Sequence, residues 1–72
     1  MGPCDVMSMP SPGPGAPCRV VEVCPDGADY QVRCDSTTSS CTCLRKGIAT
    51  GAMPTLSCTG LDPIAALMAC GF

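Results

Sequence analysis

The chemically most versatile residues of this sequence are its eight cysteines, because thiols form disulfides, bind metals and act as nucleophiles. Eight cysteines in 72 residues are typical of a disulfide scaffold, and their even number permits complete pairing. We predict disulfides among Cys4, Cys18, Cys24, Cys34, Cys41, Cys43, Cys58 and Cys70, while Cys4 could instead be free or lipidated. Since disulfides persist in oxidising compartments, we expect a secreted, extracellular, periplasmic or cell-envelope protein.

Metal binding and catalysis are the alternative uses of these thiols. The chain has no His, and no two cysteines are separated by two residues, so the usual zinc and cluster spacings are absent. The six carboxylates stand singly in polar segments, and no nucleophile has an evident base beside it. We therefore predict no metal, no cofactor and no enzymatic activity.

Arg45 and Lys46 form a second candidate site. A basic residue on a disulfide-braced loop is what inhibitors of trypsin-like proteases present, and an ordinary solvated loop is the alternative. The glycines that follow favour a mobile loop, whereas inhibition needs a rigid, extended one.

Size and charge narrow the remaining choices. A chain of 72 residues with one Tyr and one Phe has a small core, so about four disulfides could supply most of its stability. The net charge of −2 and four scattered cations give no basic stripe for nucleic acid. No apolar run is long enough to cross a membrane. The first five residues lack the basic and apolar regions of a signal peptide, so we expect a mature form.

The elements that position these residues begin after a Pro/Gly/Ser-rich segment. We predict that residues 1–17 form an extended tether and that the disulfide-stapled domain spans 18–72. The β-branched run 19–23, a Pro-Asp-Gly turn and the alternating run 29–35 predict a hairpin. A consistent register places Cys18 opposite Cys34, and Val20 opposite Val32.

A third strand at 41–44 would make a three-stranded antiparallel meander with both sulfurs on one face. A Gly-containing loop follows, with at most a short strand at 55–57. Asp62 as N-cap, Pro63 at the first position and Gly71 as terminator predict a short C-terminal helix. We expect one face of this helix to carry Ile64, Leu67 and Met68. The predicted fold class is therefore small, disulfide-rich and mainly β.

The cysteine order from Cys18 to Cys58, with its Cys41-Thr-Cys43 motif, resembles that of epidermal-growth-factor-like modules. The resemblance covers residues 18–58, lacks the Gly-aromatic pair expected after Cys-x-Cys, and carries no calcium-binding residues. It implies the pairs Cys18–Cys34, Cys24–Cys41 and Cys43–Cys58, which leave Cys4 and Cys70 for each other.

The run from Asp26 to Gly47, ending in Cys70-Gly71-Phe72, is similar to uncharacterised cysteine-rich envelope proteins of soil bacteria. That resemblance implies no activity. The leading functional hypothesis is a binding module that presents loops 36–40 and 44–51 to another protein or a cell-surface component. The alternative is a secreted effector, either a protease inhibitor that uses Arg45 or Lys46 or a small toxin. A spacer cut from a longer chain is a third interpretation, and the oligomeric state stays open.

Overall fold

A computed structural model describes residues 4–9, 13 and 15–72 of the chain. In this part, five antiparallel strands form a sheet in chain order, and one short helix packs on it. The strands are β1 (Asp5–Met9), β2 (Cys18–Val23), β3 (Asp29–Cys34), β4 (Cys41–Arg45) and β5 (Ile48–Ala49), and the helix is α1 (Pro63–Ala69). The protein is thus small, disulfide-rich and mainly β with a short C-terminal helix.

The sheet has five strands, so the predicted three-stranded meander was too small. The three predicted strands are β2, β3 and β4. β1 lies inside the segment predicted as a tether, and it pairs with β2 along its whole length. Residues 1–3, 10–12 and 14 of the predicted tether lie outside the described residues. The Pro-rich stretch that follows β1 concealed the strand, because proline is depleted from strands.

The β2–β3 hairpin has the predicted register, with Cys18 opposite Cys34 and Val20 opposite Val32. Its turn is held by backbone hydrogen bonds from Gly27 N–H to the Cys24 carbonyl (3.0 Å) and from Cys24 N–H to the Ala28 carbonyl (2.9 Å). The side chain of Asp26 accepts from the Ala28 N–H. The Pro-Asp-Gly signal therefore specified this turn through Asp and Gly chemistry.

The segment after β5 follows the edge of β4 instead of forming a free loop. Gly51, at φ +93°, interrupts the pairing as the extra residue of a β-bulge does. Pairing then resumes, and the predicted strand at 55–57 contributes only the bridge between Ser40 and Thr55. The hydrogen bonds along this edge run from Thr50 N–H to Cys43 O, Cys43 N–H to Ala52 O and Cys41 N–H to Pro54 O.

The helix begins and ends where the sequence predicts. The side chain of Asp62 accepts from the Ile64 N–H at 3.2 Å, and Pro63 occupies the first turn. At the other end Gly71 adopts φ +81°, while Phe72 N–H donates to the Leu67 carbonyl and Gly71 N–H to the Met68 carbonyl. These two bonds form a Schellman motif, which explains why glycine is needed at this position.

Of the three residues predicted to share a face of the helix, only Leu67 is buried. Ala66 and Leu67 are buried, whereas Ile64 is 55% and Met68 70% exposed. Cys70 lies four residues after Ala66 and three after Leu67, so all three are on one side of the helix. A disulfide joins Cys70 to Cys43 of the sheet. That bond fixes the rotation of the helix, and so decides which face turns inward.

The two faces of the sheet are unlike. Val20 and Val32 point toward α1 and are fully buried, and the two buried helical residues pack with them. The alternate residues of each strand, such as Arg19, Val21 and Arg33, point to the opposite side, which we call the open face. In the part of the chain that the structure describes, half of the eight buried residues are half-cystines, so sulfur replaces much of the usual aliphatic core.

All eight cysteines are paired, but none of the pairs implied by the family resemblance forms. Two disulfides join neighbouring strands within the sheet, and two join the sheet to the C-terminal segment. The pairs are Cys4–Cys24 and Cys34–Cys41 within the sheet, and Cys18–Cys58 and Cys43–Cys70 between layers. Cys4 is therefore neither free nor left to Cys70.

Hydrogen-bond alternation explains why Cys18 does not pair with Cys34, the residue opposite it. The hydrogen bond from Cys24 N–H to the Ala28 carbonyl shows that these two residues, which continue the β2–β3 register, form a hydrogen-bonded pair. Because hydrogen-bonded and non-hydrogen-bonded pairs alternate along an antiparallel ladder, Cys18 and Cys34 also form a hydrogen-bonded pair. On the other side of β3, Cys34 and Cys41 form a non-hydrogen-bonded pair with Cα atoms only 4.0 Å apart. Side chains lie closer in such pairs, which suits a disulfide.

Candidate functional site

The β4–β5 hairpin contains the Arg45–Lys46 candidate. Arg45 pairs with Ile48, so only two residues connect the strands. These are Lys46 at φ +51° and Gly47 at φ +79°, and two positive φ values are the signature of a type I′ turn. The segment is therefore a tight hairpin end, not the irregular loop that the glycines predicted.

Tyr30 lies beside this hairpin, because β3 pairs with β4 and places it opposite Arg45. The Arg45 guanidinium carbon lies 5.5 Å from the centre of the Tyr30 ring, which is cation–π range. On another side, the Phe72 ring lies 4.7 Å from the Tyr30 ring, centre to centre. The two aromatic residues of the chain are thus held together where the sheet meets the C-terminus.

An open cleft of about 360 Å³ lies at this position. Five residues line it: Asp26, Ala28, Tyr30, Arg45 and Lys46. Three elements supply them, namely the β2–β3 turn, β3 and the β4–β5 hairpin. We call this group the Tyr30 cleft.

The Tyr30 cleft combines one aromatic face, two cations and a single carboxylate. The two basic residues and Asp26 are exposed, while Tyr30 is partly buried. A carboxylate or amide group of a ligand can hydrogen-bond to the guanidinium, and an apolar portion can contact the part of the tyrosine side chain that lines the cleft. This arrangement suits recognition of a polar or acidic segment.

The sequence singled out two of the five cleft residues. Arg45 and Lys46 were candidates because of their charge, whereas Tyr30, Asp26 and Ala28 were assigned only to the hairpin. Tyr30 could have been identified from the pairing of β3 with β4. If the strand predicted at 41–44 is extended by one residue, Arg45 lies opposite Tyr30.

The predicted contact loop at 36–40 is ordered by its own hydrogen bonds. One side-chain oxygen of Asp35 accepts from Thr37 N–H (2.7 Å) and Thr38 N–H (3.1 Å). Asp35 N–H also donates to the Ser40 carbonyl, and Ser39 N–H to the Asp35 carbonyl. The carboxylate is thus stabilised in its charged form, which lowers the pKa of Asp35. This loop lies apart from the Tyr30 cleft at the other end of β3.

Cys4, Cys24 and Glu22 bring two sulfurs and a carboxylate within 4.8 Å of one another. Both sulfurs belong to the same disulfide, so neither is a thiolate that could coordinate an ion. The cluster therefore supports no metal centre while the disulfide is intact.

Searches against protein-family models, curated proteins and solved structures found no match for this chain. In the described part of the structure, no helix is long and apolar enough to cross a membrane.

Proposed function

We propose that this chain is a secreted or envelope-displayed binding module, held in shape by its disulfides, whose contact site is the Tyr30 cleft. Its partner is another protein or a cell-surface component. The observation that carries this proposal is the assembly of an aromatic ring and two exposed cations from three elements at one end of the sheet. The hairpin ends 24–28 and 45–48 present the site; the second lies inside the contact loop predicted at 44–51, whereas the contact loop predicted at 36–40 does not take part.

Binding is favoured over catalysis by the chemistry of the side chains. A hydrolytic or group-transfer site needs a nucleophile, a general acid or a base held close together. Every cysteine is in a disulfide, and the chain has no His. Asp35, whose pKa is lowered by hydrogen bonds from the Thr37 and Thr38 N–H groups, orders its own turn. We therefore propose that the protein is not an enzyme.

Secretion or display on the envelope is supported by the disulfides. Four of them in a chain of this size are typical of extracellular proteins, and two tie the sheet to the C-terminal segment. A rigid frame lowers the conformational entropy that binding costs, which favours recognition through a small site.

Binding to intact cells of the producing organism tests the proposal, with oxidised, fluorescently labelled protein as the probe. We expect saturable binding that is strongly weakened by the double variant Arg45→Ala/Lys46→Ala. The matched control is Arg19→Ala/Arg33→Ala, which removes the same charge from the open face and leaves the cleft intact. Absence of saturable binding, or equal loss in both double variants, would contradict the proposal.

The localisation of the protein is tested on the same cells. An antibody added without permeabilisation detects a secreted or displayed module, and fractionation separates the envelope from the medium. Recovery of the protein with reduced thiols in the cytoplasm would refute this part of the proposal, because the disulfide frame would be missing there.

A further inference from the structure

The open face of the sheet carries three rows of side chains that run across the strands. The central row is apolar except for one glutamine. Its members are successive Cα partners: Met7, Val21, Gln31, Leu44 and Ala49.

The flanking rows are oppositely charged. On one side of the central row, Arg19 and Arg33 are directly opposite each other and both are exposed. On the other side lie Asp5 and Asp29, also exposed, with Val23 between them as the Cα partner of each. We call these the basic row and the acidic row; they lie about 13 Å apart along the strands.

The basic row is not neutralised within the described part of the chain. Arg19 and Arg33 form a non-hydrogen-bonded pair in the β2–β3 register, which is the arrangement with the closest side chains. Like charges in direct opposition destabilise a sheet. No carboxylate of the described residues forms an ion pair with either arginine. An external acidic group would relieve this repulsion.

Part of the apolar surface of the open face is also exposed. Met7, on the edge strand β1, is 50% and Val23 42% exposed, whereas Val21, Gln31 and Leu44 of the central row are partly buried. Within the described residues, the helix and the leucines that precede it pack on the opposite side. The open face therefore has an apolar centre between two rows of opposite charge.

We propose that the open face binds a second copy of this chain, related by a two-fold axis that runs along the central row. Rotation about this axis lays the central row on its counterpart and the strand ends that carry the basic row on those that carry the acidic row, so that Arg33 faces Asp29 twice while Arg19 faces Val23. An axis parallel to the strands would set arginine against arginine instead. Charge complementarity thus selects one packing of the two sheets.

Register then pairs individual residues across the axis. Arg33 and Asp29 both lie two residues from Gln31 on β3, so Arg33 of one copy faces Asp29 of the other. Gln31 faces its own counterpart, and an amide can both donate to and accept from a second amide. Lys46 lies opposite Asp29 when the β3–β4 register is continued, which would place it at the end of the acidic row. It lines the Tyr30 cleft instead.

The size of the face sets the strength of association. Five strands of about five residues give a face on the order of 400 Å² per copy, below the roughly 800 Å² per partner of stable complexes. We therefore expect a weak dimer, populated at roughly millimolar protein and weakened by salt.

Sedimentation equilibrium and amide chemical shifts, followed against protein concentration, test this interface. Wild-type protein should self-associate, with shifts confined to the three rows. Arg33→Asp and Asp29→Arg should each weaken association roughly tenfold, because the two-fold axis doubles every contact that is changed. An equimolar mixture of the two variants should regain it, since the introduced carboxylate of one copy then faces the introduced guanidinium of the other. Arg45→Asp makes the same charge change away from the open face and should leave association unchanged.

Three results would overturn the proposal. These are a wild-type monomer at millimolar concentration, association that both charge reversals leave unchanged, or a mixture that does not recover it. A monomer whose Arg19 and Arg33 amides shift on addition of inorganic sulfate or phosphate would assign the basic row to an anionic ligand.

Discussion

At the scale of single residues, Asp35 shows how one side chain defines a loop. Its carboxylate accepts two backbone N–H groups, which favours the charged form and holds the pKa of Asp35 below its ordinary value. The folded pKa is thus lower than the unfolded one. The resulting stabilisation is present above the unfolded pKa and is lost as pH falls through the folded pKa.

Carboxyl-carbon NMR titration checks this prediction. We expect Asp35 to titrate below the ordinary pKa of an aspartate, and the amide shifts of Thr37 and Thr38 to follow the same transition. Asp35→Asn keeps an acceptor oxygen without a titrating group, so those amides should lose their acid transition while the turn persists. A pKa at or above the ordinary aspartate value would show that the two hydrogen bonds do not form.

Lys46 determines what the hairpin end can do as a protease ligand. Its φ of +51° and the Arg45 contact with Tyr30 hold this segment away from the extended conformation that a trypsin-like protease binds. We expect no inhibition of trypsin by micromolar protein. Inhibition that is lost on Arg45→Ala or Lys46→Ala would instead favour the effector alternative.

At the scale of elements, α1 depends on its covalent bond to the sheet. Seven residues are too few for an independent helix, and the Asp62 and Gly71 caps add only about 1 kcal/mol each. The Cys43–Cys70 disulfide supplies the remaining constraint. Removing it with Cys43→Ala/Cys70→Ala should cost about 3.5 kcal/mol and release the helix while the sheet persists.

The matched control for this variant is Cys34→Ala/Cys41→Ala, which removes a buried disulfide that spans seven residues. It should cost about 2.5 kcal/mol and leave the helix folded. Amide hydrogen exchange distinguishes the two variants, because the N–H groups of Cys70 and Phe72 donate only to carbonyls of the C-terminal segment and so report whether the helix is folded. Equal protection of these amides in both variants would show that α1 does not need its disulfide.

The elements also show what the sequence could predict. The β2–β3 register, the Pro-Asp-Gly turn and both helix ends follow from local chemistry, and all three were correct. The disulfide partners and β1 depend on contacts between distant residues. Cys18 and Cys34 were correctly placed opposite each other, but side chains lie farther apart in such a hydrogen-bonded pair. Cys34 instead forms its disulfide with Cys41.

The candidate site was predicted in part for the same reason. Charge alone identified Arg45 and Lys46, while the packing of Tyr30 against them needed the third strand to extend to Arg45. Periodicity grouped Ile64, Leu67 and Met68 but could not show which helix face is buried, because the disulfide of Cys70 fixes the rotation.

At the scale of the whole molecule, the fold depends on sulfur more than on aliphatic burial. Among the described residues, four of the eight that are buried are half-cystines, and the other four are Val20, Val32, Ala66 and Leu67. Such a core cannot offset the conformational entropy of the chain alone. We expect full reduction to unfold the protein under otherwise native conditions, with loss of amide dispersion and of the Tyr30–Phe72 contact. A reduced protein that keeps its sheet would show that the disulfides are dispensable.

Four particular disulfides create this two-layer frame, and a disulfide map of the native protein is the measurement that tests this. Cyanogen bromide in acid separates Cys4 from Cys18 and Cys58 from Cys70, and trypsin then isolates Cys24. We predict that peptide 2–7 is linked to 20–33, 10–19 to 54–68, and 34–45 to 69–72, with the Cys34–Cys41 bond inside peptide 34–45 located by fragmentation between Cys41 and Cys43. A link between 2–7 and 69–72, or free thiols in the native protein, would contradict it.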